Sequence, residues 1–287
     1  MPPRIPDPAP SSVRAAFDLE GRVVVITGGA GLLGLKHAEA VCELGGIAVL
    51  VDLDAARAAQ AAQQIVDRWG GQAVGLACDI TDAAAVTALA ATVIERFGRV
   101  DVLINNAANN PKVEPSTQGK GHFSRLENFP VEAWSSDIAV GLTGAFLCSR
   151  TFGAYMAAAG RGVILNVASD LGVIAPDQRL YAKPGLADDE QPVKPVTYSV
   201  VKAGLIGLTR YLATYWADKG VRANAIAPGG VYAGQNEDFL VRLNSLIPLG
   251  RMAHQDEYKG AVAFLVSDAS SYMNGAVLSV DGGRTCW

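Results

Sequence analysis

The run Arg22-Val23-Val24-Val25-Ile26-Thr27, followed at once by Gly28-Gly29-Ala30-Gly31-Leu32-Leu33-Gly34, decides the reading of the whole chain. Successive β-branched apolar residues mark a strand buried on both faces. The glycines let the backbone turn sharply and approach a ligand closely, and helical periodicity begins at Leu32. A helix N-terminus offers unpaired N–H groups and a positive dipole end, so strand, glycine turn and helix together form a cradle for a pyrophosphate. Asp52 stands 21 residues after Gly31, at the end of the next apolar run. A carboxylate there accepts hydrogen bonds from adenosine ribose hydroxyls and repels a 2′-phosphate. The glycine loop holds no Arg or Lys, and Arg57 lies five residues beyond Asp52, so the expected cofactor is NAD rather than NADP. The bland alternative is a tight structural turn beside an exposed Asp.

Working outward, short apolar runs alternate with Ala-rich helical stretches. Strands are expected at Arg22–Thr27, Ile47–Asp52, Ala73–Ala77, Val102–Asn105, Gly162–Val167, Arg222–Ala227 and Ala276–Val280. Helices are expected at Leu32–Leu44, Ala55–Trp69, Ala83–Phe97, Val131–Ala159, Thr197–Lys219 and Gln255–Ser267. Such alternation predicts an α/β fold: a single-domain, Rossmann-like, doubly wound parallel sheet of about seven strands. Residues 1–18 read as a flexible Pro-rich arm and 19–287 as the catalytic domain. Two segments, Ala108–Pro130 and Gly172–Val196, exceed ordinary connection length and are expected to be substrate loops at the carboxyl edge of the sheet.

Half of the 287 residues are hydrophobic and the net charge is −4, which gives no electrostatic reason to expect nucleic acid or an anionic membrane as partner. No apolar stretch reaches the roughly 18 residues that span a bilayer, and the start lacks the apolar core of a signal peptide. Cys42, Cys78, Cys148 and Cys286 are scattered, as are His37, His122 and His254. Reduced thiols, a cytoplasmic location and no metal site are therefore expected.

Tyr198 and Lys202 are four residues apart and share one face of a predicted helix. Tyrosine is a weak base at neutral pH, but a neighbouring ammonium favours its phenolate. The pair thus suits removal of a hydroxyl proton during hydride transfer from a secondary alcohol. Ser169 closes the fifth predicted strand, where its hydroxyl either stabilises the reacting oxygen or merely caps the next turn.

The order TGGAGLLG, Asp52, Cys78-Asp79, Asn105-Asn106-Ala107-Ala108, Ser169, Tyr198-Ser-Val-Val-Lys202, Pro228-Gly229 and Asp281-Gly282-Gly283 resembles the short-chain dehydrogenases/reductases from Gly21 to Gly283. The resemblance implies Ser169, Tyr198 and Lys202 as the catalytic group. It implies a dinucleotide held by Gly28, Gly31, Leu33, Gly34 and Asp52, with Asp79 and Ile80 by the adenine. Asn105, Asn106 and Ala107 would pass beneath the cofactor, Pro228, Gly229 and Val231 would approach the nicotinamide, and Tyr198 and Lys202 would also touch it. The part from Pro195 to Trp287 is similar to a bacterial group associated with flagellin modification and nonulosonic-acid sugars. That implies a small polar substrate, a sugar or polyol. A homotetramer or dimer, paired through the helices at Val131–Ala159 and Thr197–Lys219, is implied as well. Trp287 would be costly if exposed, which fits its burial at a subunit contact.

Four departures from the family pattern stand out. The TGxxGxxG spacing is that of longer nucleotide-sugar enzymes, Gly141 replaces a usual Asn, and Ala233 replaces a usual Thr. Ser169 also lies 29 residues before Tyr198, because the segment Gly172–Val196 is inserted. Candidate substrate contacts are Lys112, Lys120, His122, Arg179 and Lys183 for anions, and Asn109, Asn110, Asp170 and Gln235 for hydroxyls; Tyr232–Leu249 would be a mobile flap. Two other readings compete with the dehydrogenase: a cofactor-retaining sugar epimerase or dehydratase, and a non-catalytic NAD sensor.

Overall fold

The computed structural model describes residue 10, residues 12–109 and residues 122–287. Seven parallel strands form one sheet: β1 (Val23–Thr27), β2 (Ile47–Asp52), β3 (Gln72–Ala77), β4 (Val102–Asn105), β5 (Gly162–Val167), β6 (Val221–Pro228) and β7 (Val277–Val280). Their order across the sheet is β3-β2-β1-β4-β5-β6-β7. The chain winds outward in one direction to β3 and then in the other from β4, so the sheet switches between β1 and β4 and opens a crevice at the carboxyl ends there. Alternate residues of β1 feed the two faces. Val24 and Ile26 pack into one apolar cluster and Val23 and Val25 into the other, which is why the strand reads as continuously apolar.

Helices α2 (Leu32–Glu43), α3 (Ala55–Trp69), α4 (Ala83–Phe97), α5 (Val131–Ile138), α6 (Gly144–Ala158), α7 (Val196–Tyr215), α8 (Glu237–Asn244) and α9 (Lys259–Val266) follow a first short helix, α1 (Val13–Ala16). Asp54 and Asp82 cap α3 and α4 through their side chains, so both helices begin where the sequence reading put them.

The segment read as an arm carries α1, where Ser12 Oγ accepts from Ala15 N–H and Phe17 lies beside Phe264. Two helix expectations need correction. The helix read as continuous over 131–159 is split by a π-helical segment, Ala139–Thr143. The helix read over 197–219 stops at Tyr215 and tightens to a 3₁₀ turn, Ala217–Lys219, ended by Gly220 at φ 74°. Apolar periodicity continues through both breaks, so spacing alone does not reveal them. The flap region carries α8, capped by Asn236, which the sequence reading left without an element.

Candidate functional site

Two crevices open at the switch point and share Leu32, Leu33, Asn106 and Ala108 as common walls. The smaller, about 350 Å³, lies over the glycine turn and is lined by Gly28, Gly31, Leu33, Asp52, Asp79 and Ile80, with Asn106 and Ala107 at its end. Gly28 sits at φ 61°, and a Cβ on Gly34 would come within 2.3 Å of the Gly28 carbonyl oxygen. Only glycine lets the turn close this tightly on the helix behind it. Gly31 caps α2 without a side-chain hydrogen bond, leaving the first N–H groups of the helix directed at the crevice. The glycine cradle and open helix end suit a dinucleotide.

Thr27, to which the sequence reading gave no role, fastens this turn to β4. Its Oγ1 accepts from the backbone N–H of Asn106 and of Ala107, both at 3.1 Å. Asn106 Nδ2 in turn donates to the carbonyls of Thr27 and Gly28, at 3.0 and 3.1 Å. Asp52 ends β2 at the same crevice. Arg57 reaches across from α3 and donates to the Ala30 carbonyl at 3.1 Å, so a cation stands beside the carboxylate expected to exclude a 2′-phosphate. The separation of 27 positions between Ala30 and Arg57 concealed the contact with the glycine turn. Asp79 spends its carboxylate on Thr81, which accounts for its lowered pKa.

The larger cleft, about 1010 Å³, is lined by Ser169, Tyr198 and Lys202, by Pro228, Gly229 and Val231, and by the inserted segment and α8. The insertion leaves Ser169 beside Tyr198 despite a separation of 29 positions, and the serine hydroxyl favours the ionised phenol. Burial works the other way and outweighs it, holding the Tyr198 pKa above its ordinary value. Lys202 is buried one turn along α7, donates to the Val167 carbonyl at 2.6 Å, and is brought down to about 8, first by burial and then by Lys194.

Behind Ser169 lies a network absent from the sequence reading. Ser169 Oγ donates to Asp170 Oδ1 at 2.7 Å, and Arg284, from the far end of the chain, meets Asp170 Oδ2 at 3.3 Å. Asp170 was expected among hydroxyl contacts; its carboxylate is instead buried and taken up by these two partners. The adjacency of Asp170 to Ser169 was a usable signal, whereas nothing local points to Arg284.

Other candidates divide. Lys183 and Gln235 line the larger cleft, and Asn109 lies at the smaller crevice. Arg179 is exposed and pairs with Asp177, and His122 is buried against Ser124. Lys112, Lys120 and Asn110 fall outside the described residues. Gly141 occupies the π-helical segment facing α7, where a Cβ would stand 2.5 Å from Val201 Cγ1, so the usual Asn does not fit this packing. Among the described residues, no group of three or more His, Cys, Asp and Glu is placed to hold a metal, and no helix is long and apolar enough to cross a membrane.

Residues 22–182 match the family model described as short chain dehydrogenase, and residues 189–285 the model described as enoyl-(acyl carrier protein) reductase. D-threitol dehydrogenase of Mycolicibacterium smegmatis is 37% identical over 282 residues, 96% of each chain. Galactitol 2-dehydrogenase (L-tagatose-forming) of Cereibacter sphaeroides is 33% identical, covering 96% of this chain and 99% of its own. The crystal structure of a gluconate 5-dehydrogenase from Burkholderia cenocepacia, in complex with NADP and tartrate, superposes with a TM-score of 0.81 at 29% identity over 96% of this chain and all of its own. None of these three concerns flagellin modification or nonulosonic acids, so the narrower group expected from Pro195–Trp287 finds no support in these relatives.

Proposed function

The chain belongs to the short-chain dehydrogenase family and is an oxidoreductase acting on alcohol groups, and from this we propose that it is an NAD-dependent dehydrogenase of a secondary alcohol in a small polyhydroxylated substrate. The observation that carries the reading is the convergence of Tyr198, Ser169 and Lys202 on the larger cleft, which shares walls with the crevice over the glycine turn. When bound, the nicotinamide supplies the hydride acceptor for oxidation and the donor for reduction.

In this reading Gly28, Gly31, Leu33 and Gly34 at the start of α2 would hold the pyrophosphate. Asp52 would bind the adenosine ribose, Asp79 and Ile80 the adenine, and Asn106 and Ala107 would support the cofactor. Pro228, Gly229 and Val231 would hold the nicotinamide end. Tyr198 takes the hydroxyl proton onto its phenolate oxygen as the carbinol is oxidised and returns it in the reverse direction. The Lys202 ammonium would oppose the burial that keeps Tyr198 protonated and would hold the nicotinamide ribose of a bound cofactor. Ser169, oriented by Asp170, holds the reacting oxygen.

One observation favours NADP as a second cofactor: Arg57 at the Ala30 carbonyl is placed to receive a 2′-phosphate. The polyol names of the relatives support a polyol or sugar substrate for this chain. A homo-oligomer is supported by exposed aromatic residues on the long helices, Phe146 and Tyr155 on α6 and the stacked pair Tyr211 and Tyr215 on α7. Trp287 is exposed in the single chain and donates to the Leu246 carbonyl at 3.3 Å, leaving its ring for a neighbouring subunit.

The test is a screen of polyols, sugars and sugar acids with NAD and with NADP, following the absorbance of the reduced cofactor. Net reduction with NAD is expected. Conversion without net reduction would establish the epimerase instead, and cofactor binding without any conversion the sensor.

A further inference from the structure

Lys194 takes no part in the chemistry above, yet it stands closer to Tyr198 than Lys202 does. Its Nζ is 3.8 Å from the centroid of the Tyr198 ring, against 5.8 Å for Lys202 Nζ. It belongs to the inserted segment, and its backbone is fixed from both sides. The Lys194 N–H donates to Gln178 Oε1 at 2.8 Å, the Val193 N–H donates to Ser124 Oγ at 3.0 Å, and Pro195 follows in a buried position.

Among the described residues no hydrogen bond or ion pair ties Lys194 Nζ, which lies over the Tyr198 ring on the cleft wall. The residue is half-buried, and burial pushes its pKa down to about 8.

The rest of the cleft wall has the same sign. Lys183, Lys194, Lys202, Arg242 and Arg284 line it, against Asp170 and Asp238. Asp170 is already taken by Ser169 and Arg284. Lys183, Lys194 and Arg242 come from the insertion and α8, above the reacting position and away from the glycine turn. A neutral polyol would leave this charge unanswered, whereas a carboxylate offers both charge and two acceptor oxygens.

We propose that the substrate is a hydroxy acid whose carboxylate, close to the reacting carbinol, is held by Lys194. The proposal rests on the reading of the larger cleft as the substrate site and narrows the substrate from polyols in general to polyhydroxy acids. Lys194 is then a specificity residue supplied by the insertion, and its placement on Tyr198 ties recognition of the acid to the group that takes the proton.

The experiment compares D-threitol with the four-carbon aldonate of the same stereochemistry, by calorimetric binding to the NAD-loaded protein and by turnover. The wild type is expected to bind the aldonate at least about tenfold tighter, the difference between a charge-assisted and a neutral hydrogen bond. Lys194→Met is expected to erase that ratio and Lys194→Arg to keep it. The ratio should also fall as pH rises through about 8 and Lys194 loses its proton.

The titratable, charged and hydroxyl groups on the walls shared with Lys194 are Tyr198 and Lys202 from α7, Ser169 and Asp170 from the turn after β5, Asp137 from α5, Asp238 and Arg242 from α8, Arg284 from the C-terminal turn, and Tyr181 and Lys183 from the insertion. Lys202 titrates in the same range and also favours the anion, so the pH effect of Lys194 is read against Lys194→Arg, whose guanidinium stays charged and leaves only the Lys202 contribution. Equal or weaker binding of the aldonate by the wild type overturns the proposal, even where threitol is oxidised and the dehydrogenase reading stands. A Lys194-dependent preference for the acid upholds it, even where neither compound is turned over and the dehydrogenase reading falls.

Discussion

Arg284 Nη1 lies 3.3 Å from Asp170 Oδ2, and both side chains are almost fully buried, so the end of the chain is tied to the residue that orients Ser169. Arg284→Ala leaves Asp170 charged, buried and without this partner. A loss of about 3–5 kcal/mol in denaturant unfolding is expected, as for other broken buried pairs. Pairing it with Asp170→Asn should restore part of that stability; an Arg284→Ala protein as stable as wild type would refute the role.

Tyr198→Phe removes the proposed proton acceptor and leaves the ring in place. Turnover should fall to background while NAD affinity, measured by fluorescence titration, changes little. Retained turnover would sink the assigned mechanism.

Asp52 and Arg57 oppose each other at the adenosine end. Asp52→Ala should shift the ratio of kcat/KM for NAD over NADP toward NADP by on the order of tenfold, the worth of one charge-assisted bond. Adding Arg57→Ala should lower NADP use again. An unchanged ratio in the first variant would remove Asp52 from cofactor choice.

Lys202 has a folded-state pKa near 8, below the ordinary 10.5. Between those values the unfolded chain binds more protons, so the stability of the cofactor-free protein rises with pH across that window, and at neutral pH the buried ammonium is a cost. Lys202→Met should therefore abolish turnover yet stabilise the cofactor-free protein by about 2 kcal/mol at pH 7, the relief of burial less the lost bond to Val167. Urea unfolding at pH 7 and pH 10 checks both the gain and its disappearance.

Gly141→Asn installs the residue usual in the family. With a Cβ 2.5 Å from Val201 Cγ1, it should destabilise by about 1–3 kcal/mol through overpacking. Val201→Ala should relieve it, and thermal unfolding of the single and double variants reads the coupling.

The chain by itself determined the sheet and the place of its crevice. Strands buried on both faces must be apolar throughout, and the Asp caps and glycine turn are written locally, so most strand and helix limits fell within a residue or two of the sequence reading. The spacing of Tyr198 and Lys202 is likewise a local fact, since four residues always make one turn of helix. Breaks such as the π segment at Ala139–Thr143 leave apolar periodicity intact and stay silent in the sequence. Only the tertiary structure decided which distant groups meet: Arg57 with the glycine turn, Arg284 with Asp170, and Lys194 with the face of Tyr198. Charge and burial act through space, and the return path of an irregular loop has no period from which the contact could be read.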